Sequence, residues 1–128
     1  MRILIADDFQ PNIELVSDAL ESYGDIVSVN DGFQAITEFQ SALKNGEPFD
    51  LICLDIEMPY LDGISTLFSI RDIEKQENAK QSVVFMITGS KDITKILDSF
   101  EGKANAFIVK DSNILNRIEE ELKKNKLI

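Results

Sequence analysis

Histidine and tryptophan are absent from this 128-residue chain, cysteine occurs once, proline three times, and no apolar run approaches the length of a membrane span. Without histidine there is no imidazole acid–base catalysis, no imidazole metal ligand and no internal phosphohistidine. Cys53 alone cannot form an internal disulfide and argues against a thiolate metal site; its place in an apolar run makes it a core residue. The apolar start, Met1 to Asp8, is too short for a signal peptide, so a reducing cytoplasm is the expected setting. Basic residues are scarce as well. Thirteen Lys and Arg face 23 Asp and Glu, a net charge of −10, which argues against general affinity for nucleic acid or an anionic membrane. Proteins and cations are the expected partners. What remains, 44% hydrophobic residues in a chain of ordinary domain length, predicts one folded domain over 1–128 with no output domain.

The stretch Leu51-Ile52-Cys53-Leu54-Asp55 organises the rest: an apolar run ends in a carboxylate, and Met58-Pro59 and Asp62-Gly63 then mark a turn. A short apolar run bounded by turn residues fits a strand buried on both faces. Asp55 then sits at a strand's carboxyl end, where parallel sheets place their ligand sites. By itself this stretch equally fits an aspartate that caps the following turn.

In chain order, Ile3 to Ala6 form a strand ending at Asp7 and Asp8. A helix begins near Pro11, carries Ile13, Val16, Leu20 and Tyr23 at helical spacing, and stops at Gly24. Ile26 to Val29 read as the second strand, and Asp31-Gly32 leads into a helix with Ala35, Ile36, Phe39, Ala42 and Leu43. After the central strand, Ile64, Leu67, Phe68, Ile70 and Ile73 mark a third helix. The polar connection from Glu74 to Ser82 is expected to be the least ordered part. Val83 to Ile87 form a strand ending at Thr88-Gly89-Ser90, and Ile93, Ile96, Leu97 and Phe100 a fourth helical segment. Ala104 to Val109 form the fifth strand, ending at Lys110, and Ile114, Leu115, Ile118 and Leu122 place a last helix.

Strands alternating with helices imply right-handed crossovers and a doubly wound α/β fold with a five-stranded parallel sheet, expected in the flavodoxin-like order 2-1-3-4-5. That order brings Asp7, Asp8, Asp55, Thr88 and Lys110 to one edge. Converging carboxylates repel each other and need a counter-ion, and the hard cation Mg²⁺ with its oxygen ligands is the expected one. Lys110 offers a second positive charge, pairing with Asp55 at rest and with a phosphoryl oxygen later, and Thr88 a hydroxyl. The set suits phosphoryl transfer to Asp55 as nucleophile.

Over essentially its whole length the chain resembles the response-regulator receiver family of two-component signalling. The motifs are Asp7-Asp8, Asp55 with Met58-Pro59 and Asp62-Gly63, Thr88 and Lys110. The ordered set is specific, whereas each piece alone is weak. The resemblance implies that Asp55 accepts a phosphoryl group from the phosphohistidine of a sensor kinase or phosphotransfer protein. It implies Mg²⁺ held by Asp7, Asp8, Asp55 and the backbone carbonyl of Glu57. Thr88 and Phe107 would switch together, altering a face to which Lys91, Ile93, Phe107 and the last helix contribute. The implied protein is a stand-alone chemotaxis-receiver-like phosphoprotein, catalysing only its own phosphorylation and dephosphorylation. It would act through an unknown downstream protein, as a monomer or phosphorylation-dependent dimer.

Each residue also has a plainer reading: Asp7 and Asp8 as capping or loop acids, Thr88 as a β-branched strand end, Lys110 as a surface lysine, Phe107 as core. The chain departs from the family where Asp111 follows Lys110 in place of proline. Without proline a cis bond costs about 3 kcal/mol, so a trans bond is expected, the aim of Lys110 is open, and Asp111 or Ser112 is a candidate cap for the last helix. Glu57 and Ser90 flank the site at variable positions. Two other readings compete: a phosphorylation-independent interaction module with the same fold, and a phosphatase with an aspartyl nucleophile, which would need an enclosing cap segment.

Overall fold

A computed structural model of the chain describes residues 1–89 and 103–128. Five parallel strands, β1 (Arg2–Ala6), β2 (Asp25–Val29), β3 (Leu51–Asp55), β4 (Val83–Thr88) and β5 (Ala106–Val109), form one sheet in the order β2-β1-β3-β4-β5, as expected. The described helices are α1 (Gln10–Leu20), α2 (Gly32–Lys44), α3 (Gly63–Gln76) and α4 (Ile114–Lys124). The helical segment expected from Ile93, Ile96, Leu97 and Phe100, together with Ser90 and Lys91, lies outside the described residues.

Period-two alternation divides the strands between two cores. On one face Leu4, Ile52, Leu54, Val84 and Met86 pack against Phe39 of α2 and Leu67 and Ile70 of α3. On the other, Ile3, Ile5, Cys53, Phe85 and Ile108 pack against Val16 and Leu20 of α1 and Ile118 and Leu122 of α4. Asp55 shares its parity with Leu51 and Cys53, so it belongs to the α1/α4 side. Thr88 shares parity with Val84 and Met86 and belongs to the α2/α3 side, where Phe107 also packs.

Two sequence expectations are corrected. α1 ends at Leu20 rather than at Gly24: the Tyr23 N–H returns to the Leu20 carbonyl, closing a turn, and Tyr23 packs against the α1/α4 core from outside the helix. Gly24 is needed for a different reason, since a Cβ there would lie 1.9 Å from the Met1 carbonyl oxygen. The connection from Glu74 to Ser82 is anchored rather than loose. α3 continues to Gln76, and Glu74 and Ser82 are only 2% and 5% exposed.

A buried clasp centred on Arg71 holds them. Its Nη1 donates to Glu74 Oε1 (2.6 Å) and the Ser82 carbonyl (2.9 Å), its Nε to the Lys103 carbonyl (2.8 Å), and its Nη2 to Asn105 Oδ1 (3.2 Å). Glu74 Oε2 accepts the Ser82 N–H at 2.6 Å, and Asn105 Oδ1 accepts the Val84 N–H at 2.9 Å. The Ser82 hydroxyl donates to the Phe49 carbonyl. Buried charge is tolerable only when paired and hydrogen-bonded in this way. α3 is thereby fastened to the amino-terminal ends of β4 and β5.

Candidate functional site

The opposite, carboxyl edge of the sheet carries the acids. β1 delivers Asp7, which is buried, and Asp8, which is exposed, while β3 delivers Asp55, 8% exposed. A carboxylate oxygen from each lies within 4.8 Å of the other two. Backbone contacts fix these positions. The Asp7 N–H is bound by the Val29 carbonyl, and Asp7 Oδ1 accepts the Phe9 N–H at 3.0 Å, turning the chain into α1.

Asp55 is seated by the start of α3. Asp62 caps that helix, Oδ1 accepting the Ser65 N–H at 2.7 Å, and the Gly63 N–H donates to the Ile56 carbonyl at 2.8 Å. A Cβ at Gly63 would lie 2.1 Å from the Asp55 carbonyl oxygen, so only glycine lets the helix sit this close to the end of β3. The Asp62-Gly63 pair of the sequence is therefore a seat for the carboxyl end of β3.

Lys110 follows β5, and its N–H donates to the Thr88 carbonyl at 2.7 Å. Its Nζ donates to Asp55 Oδ1 at 2.9 Å and to Asp7 Oδ2 at 3.0 Å, bridging the two buried acids. No cis bond occurs among the described residues, so Lys110 reaches both acids through a trans link to Asp111. The expectation that a missing proline leaves its aim open is answered by this geometry. Neither Asp111 nor Ser112 caps the last helix: its N-cap is Asn113, which makes no side-chain capping bond, and Asp111 Oδ1 instead accepts the Asn113 N–H at 2.9 Å in the turn that precedes it.

Burial pushes the Asp55 carboxyl above its usual range. The hydrogen bond and charge of Lys110 pull it back, and the charges of Asp7 and Asp8 add to the rise. For Lys110, burial favours the neutral amine, but the hydrogen bonds and charges of Asp55 and then Asp7 outweigh it and hold the ammonium above its usual value. The net result is an acid cluster short of positive charge. Three convergent carboxylates form the hard oxygen donor set that Mg²⁺ prefers, and the residues present fit that ion.

Thr88, 2% exposed, and exposed Glu57 line the same cleft, and the Ile56 N–H bonded to the Ile87 carbonyl holds the backbone entering Glu57. Phe107 is half-buried one strand away. The cleft also includes Met58, marked in the sequence by its turn motif, Ile64, marked by its helix, and Phe9 and Asn12, which the sequence pattern does not single out. Phe9, 57% exposed between the acid pair and Pro11, carried a usable signal: an aromatic standing outside any apolar run. Asn12 carried none beyond its place in the first turn of α1. Tyr60 is 86% exposed with φ of 68°, a left-handed conformation unusual for a bulky residue, in the loop between β3 and α3.

A doubly wound parallel sheet with acids and a lysine gathered at the carboxyl edge defines a flavodoxin-like α/β domain with its site at the point where strand order reverses. The chain belongs to the response regulator receiver domain family, whose profile matches residues 3–123, and it is thus a receiver domain of two-component systems. It is 33% identical over 112 residues to chemotaxis protein CheY-3 of Vibrio cholerae, covering 86% of this chain and 80% of that protein. It is 39% identical over 80 residues to histidine kinase 3 of Arabidopsis thaliana, covering 62% of this chain but only 7% of the kinase. Among solved structures, the Thermotoga maritima response regulator TrrA in complex with Mg²⁺-BeF is 31% identical with a TM-score of 0.75, covering 99% of this chain and 98% of that one. No described helix is long and apolar enough to cross a membrane.

Proposed function

We propose that this chain is a phosphorylation switch of the cytoplasm, with Asp55 as the acceptor. The observation that carries the reading is Lys110 Nζ at 2.9 Å from Asp55 inside a cluster of three carboxylates within 4.8 Å. An Asp55 oxygen attacks the phosphorus of a phosphohistidine on a sensor histidine kinase or phosphotransfer protein; the new O–P bond forms as the P–N bond breaks, and the leaving imidazole takes up a proton. Asp7, Asp8, Asp55 and the Glu57 carbonyl would hold Mg²⁺, which when bound would supply neutralisation of charge on the phosphoryl oxygens. Lys110 exchanges its bond to Asp55 for one to a phosphoryl oxygen, and the Thr88 hydroxyl donates to another. Hydrolysis of the resulting acyl phosphate resets the switch, so the chain acts on no substrate but itself.

Thr88 and Phe107 belong to the same side of the sheet, which supports their moving together and altering a protein-binding face near β5 and α4. Such a face suits a protein contact or onward phosphotransfer, by a monomer or a phosphorylation-dependent dimer. Exposed Phe9 on the cleft rim offers a docking partner an apolar contact beside the acceptor. A constitutive module gains nothing from the missing proline, because Lys110 reaches Asp55 without it.

The test is intact mass after incubation with acetyl phosphate, with and without Mg²⁺, for the wild type and Asp55→Asn. The expected result is a Mg²⁺-dependent gain of one phosphoryl group in the wild type alone. A folded wild type that gains none from acetyl phosphate or from any phosphohistidine donor would overturn the reading.

A further inference from the structure

The family's proline is replaced by Asp111, and the Lys110–Asp111 link is trans. Something other than a cis-prolyl bond therefore shapes the loop that aims Lys110. Asp111 Oδ2 accepts from Arg117 Nη2 at 3.0 Å and Oδ1 accepts from Arg117 Nε at 3.3 Å, a two-point contact between planar groups. Oδ1 also accepts the Asn113 N–H, and the Asp111 carbonyl accepts the Ile114 N–H at 3.1 Å. Arg117 stands on α4 beside Ile118, which is 1% exposed, so the guanidinium is carried by a helix packed firmly on the sheet. On the other side, the Asp111 N–H is bound by the Val109 carbonyl and the Lys110 N–H by the Thr88 carbonyl.

From these contacts we infer that the Arg117–Asp111 pair is a positioning clamp for Lys110, taking the place of the proline in holding the ammonium on Asp55 and Asp7. A fork-on-carboxylate contact fixes angle as well as distance, which a single lysine donor in place of Arg117 could not. The clamp is half-exposed, at 43% for the Arg117 side chain and 28% for Asp111, so its removal leaves the fold intact. Its influence on the rate rests on the phosphorylation reading above; its influence on where Lys110 points does not.

Two readouts separate these claims. The first is the ε-ammonium NMR signal of Lys110 in the metal-free protein, for the wild type, Arg117→Met, Asp111→Asn and the double variant. Loss of the clamp is expected to shift or broaden that signal in both single variants. The second is the rate of phosphorylation by acetyl phosphate with Mg²⁺, followed by intact mass. Both single variants are expected to be slower by roughly threefold to fivefold, and the double variant no slower than either, with Mg²⁺ affinity unchanged.

A mere charge effect on an anionic donor predicts opposite signs: slower for Arg117→Met, faster for Asp111→Asn. Opposite signs, or a Lys110 signal unchanged in both variants, would overturn the clamp. A wild type that is not phosphorylated, with Lys110 shifted in the variants, would remove the phosphorylation reading and leave the clamp standing.

Discussion

Replacing Asp55 by asparagine should make the metal-free protein more stable while weakening its response to Mg²⁺. Carboxylate oxygens of Asp7 and Asp8 lie within 4.8 Å of one on Asp55, and Lys110 Nζ lies 2.9 Å from it. At an effective dielectric of about 20, each like-charge pair costs about 3.5 kcal/mol and the lysine returns about 6. The balance on the Asp55 charge is about 1 kcal/mol unfavourable, before the cost of burial. Asparagine keeps the shape and removes the charge.

With an unfolding entropy of about 2 cal/mol/K per residue, 1 kcal/mol corresponds to a rise in Tm of about 4 °C. The pH dependence carries the same sign. Because burial raises the folded carboxyl above its ordinary value, the folded state binds more protons than the unfolded state between those two values. Stability contributed by protonated Asp55 is therefore lost as pH rises through that window, and the asparagine variant lacks this decline. Mg²⁺ at ten times its Kd should stabilise the wild type by about 1.4 kcal/mol, and the variant by less for want of one charged ligand. The assay is thermal unfolding in EDTA and in graded MgCl₂. A variant that melts lower than wild type in EDTA, or that gains as much from Mg²⁺, would refute this account of the cluster.

Three further outcomes follow from the geometry. Arg71→Met strands Glu74 in the interior and should cost about 3–5 kcal/mol by urea titration, with Arg71→Met/Glu74→Leu recovering much of it; a cost below about 1 kcal/mol would show that the clasp is not holding charge. Gly63→Ala forces its Cβ against the Asp55 carbonyl and should cost about 1–3 kcal/mol. It should also weaken Mg²⁺ binding, and unchanged affinity would mean that Gly63 does not seat Asp55. Cys53, whose thiol burial pushes up to about 12, should resist thiol reagents in the native state even at pH 9 and react only on unfolding.

The strand order and the gathering of Asp7, Asp8, Asp55, Thr88 and Lys110 at its carboxyl edge were legible in the sequence because each rests on a local signal. Apolar runs such as Leu51 to Leu54 announce buried strands, and charged residues at their ends mark the edge where a parallel sheet gathers them. Crossover handedness does the rest. What could not be read was long-range and polar. Glu74 and Ser82 look like solvent-facing residues of a loose connection until Arg71 and Asn105, up to 34 positions apart, are seen to meet. The aim of Lys110 was likewise hidden, since it depends on Arg117, one helical turn into an element that periodicity describes only by its apolar face. Gly24 looks like a helix stop in the sequence, whereas its role is to let the chain pass the Met1 carbonyl.

The Arg71 clasp also sets a gradient of local opening. The Ser82 and Val84 amides donate to the Glu74 and Asn105 side chains, so exchange of their protons with solvent requires those buried groups to part. The base of the sheet should therefore exchange only through global unfolding, whereas amides in the exposed loop around Tyr60 exchange through small local excursions. One rim is a fixed frame, and the other is where the chain can move.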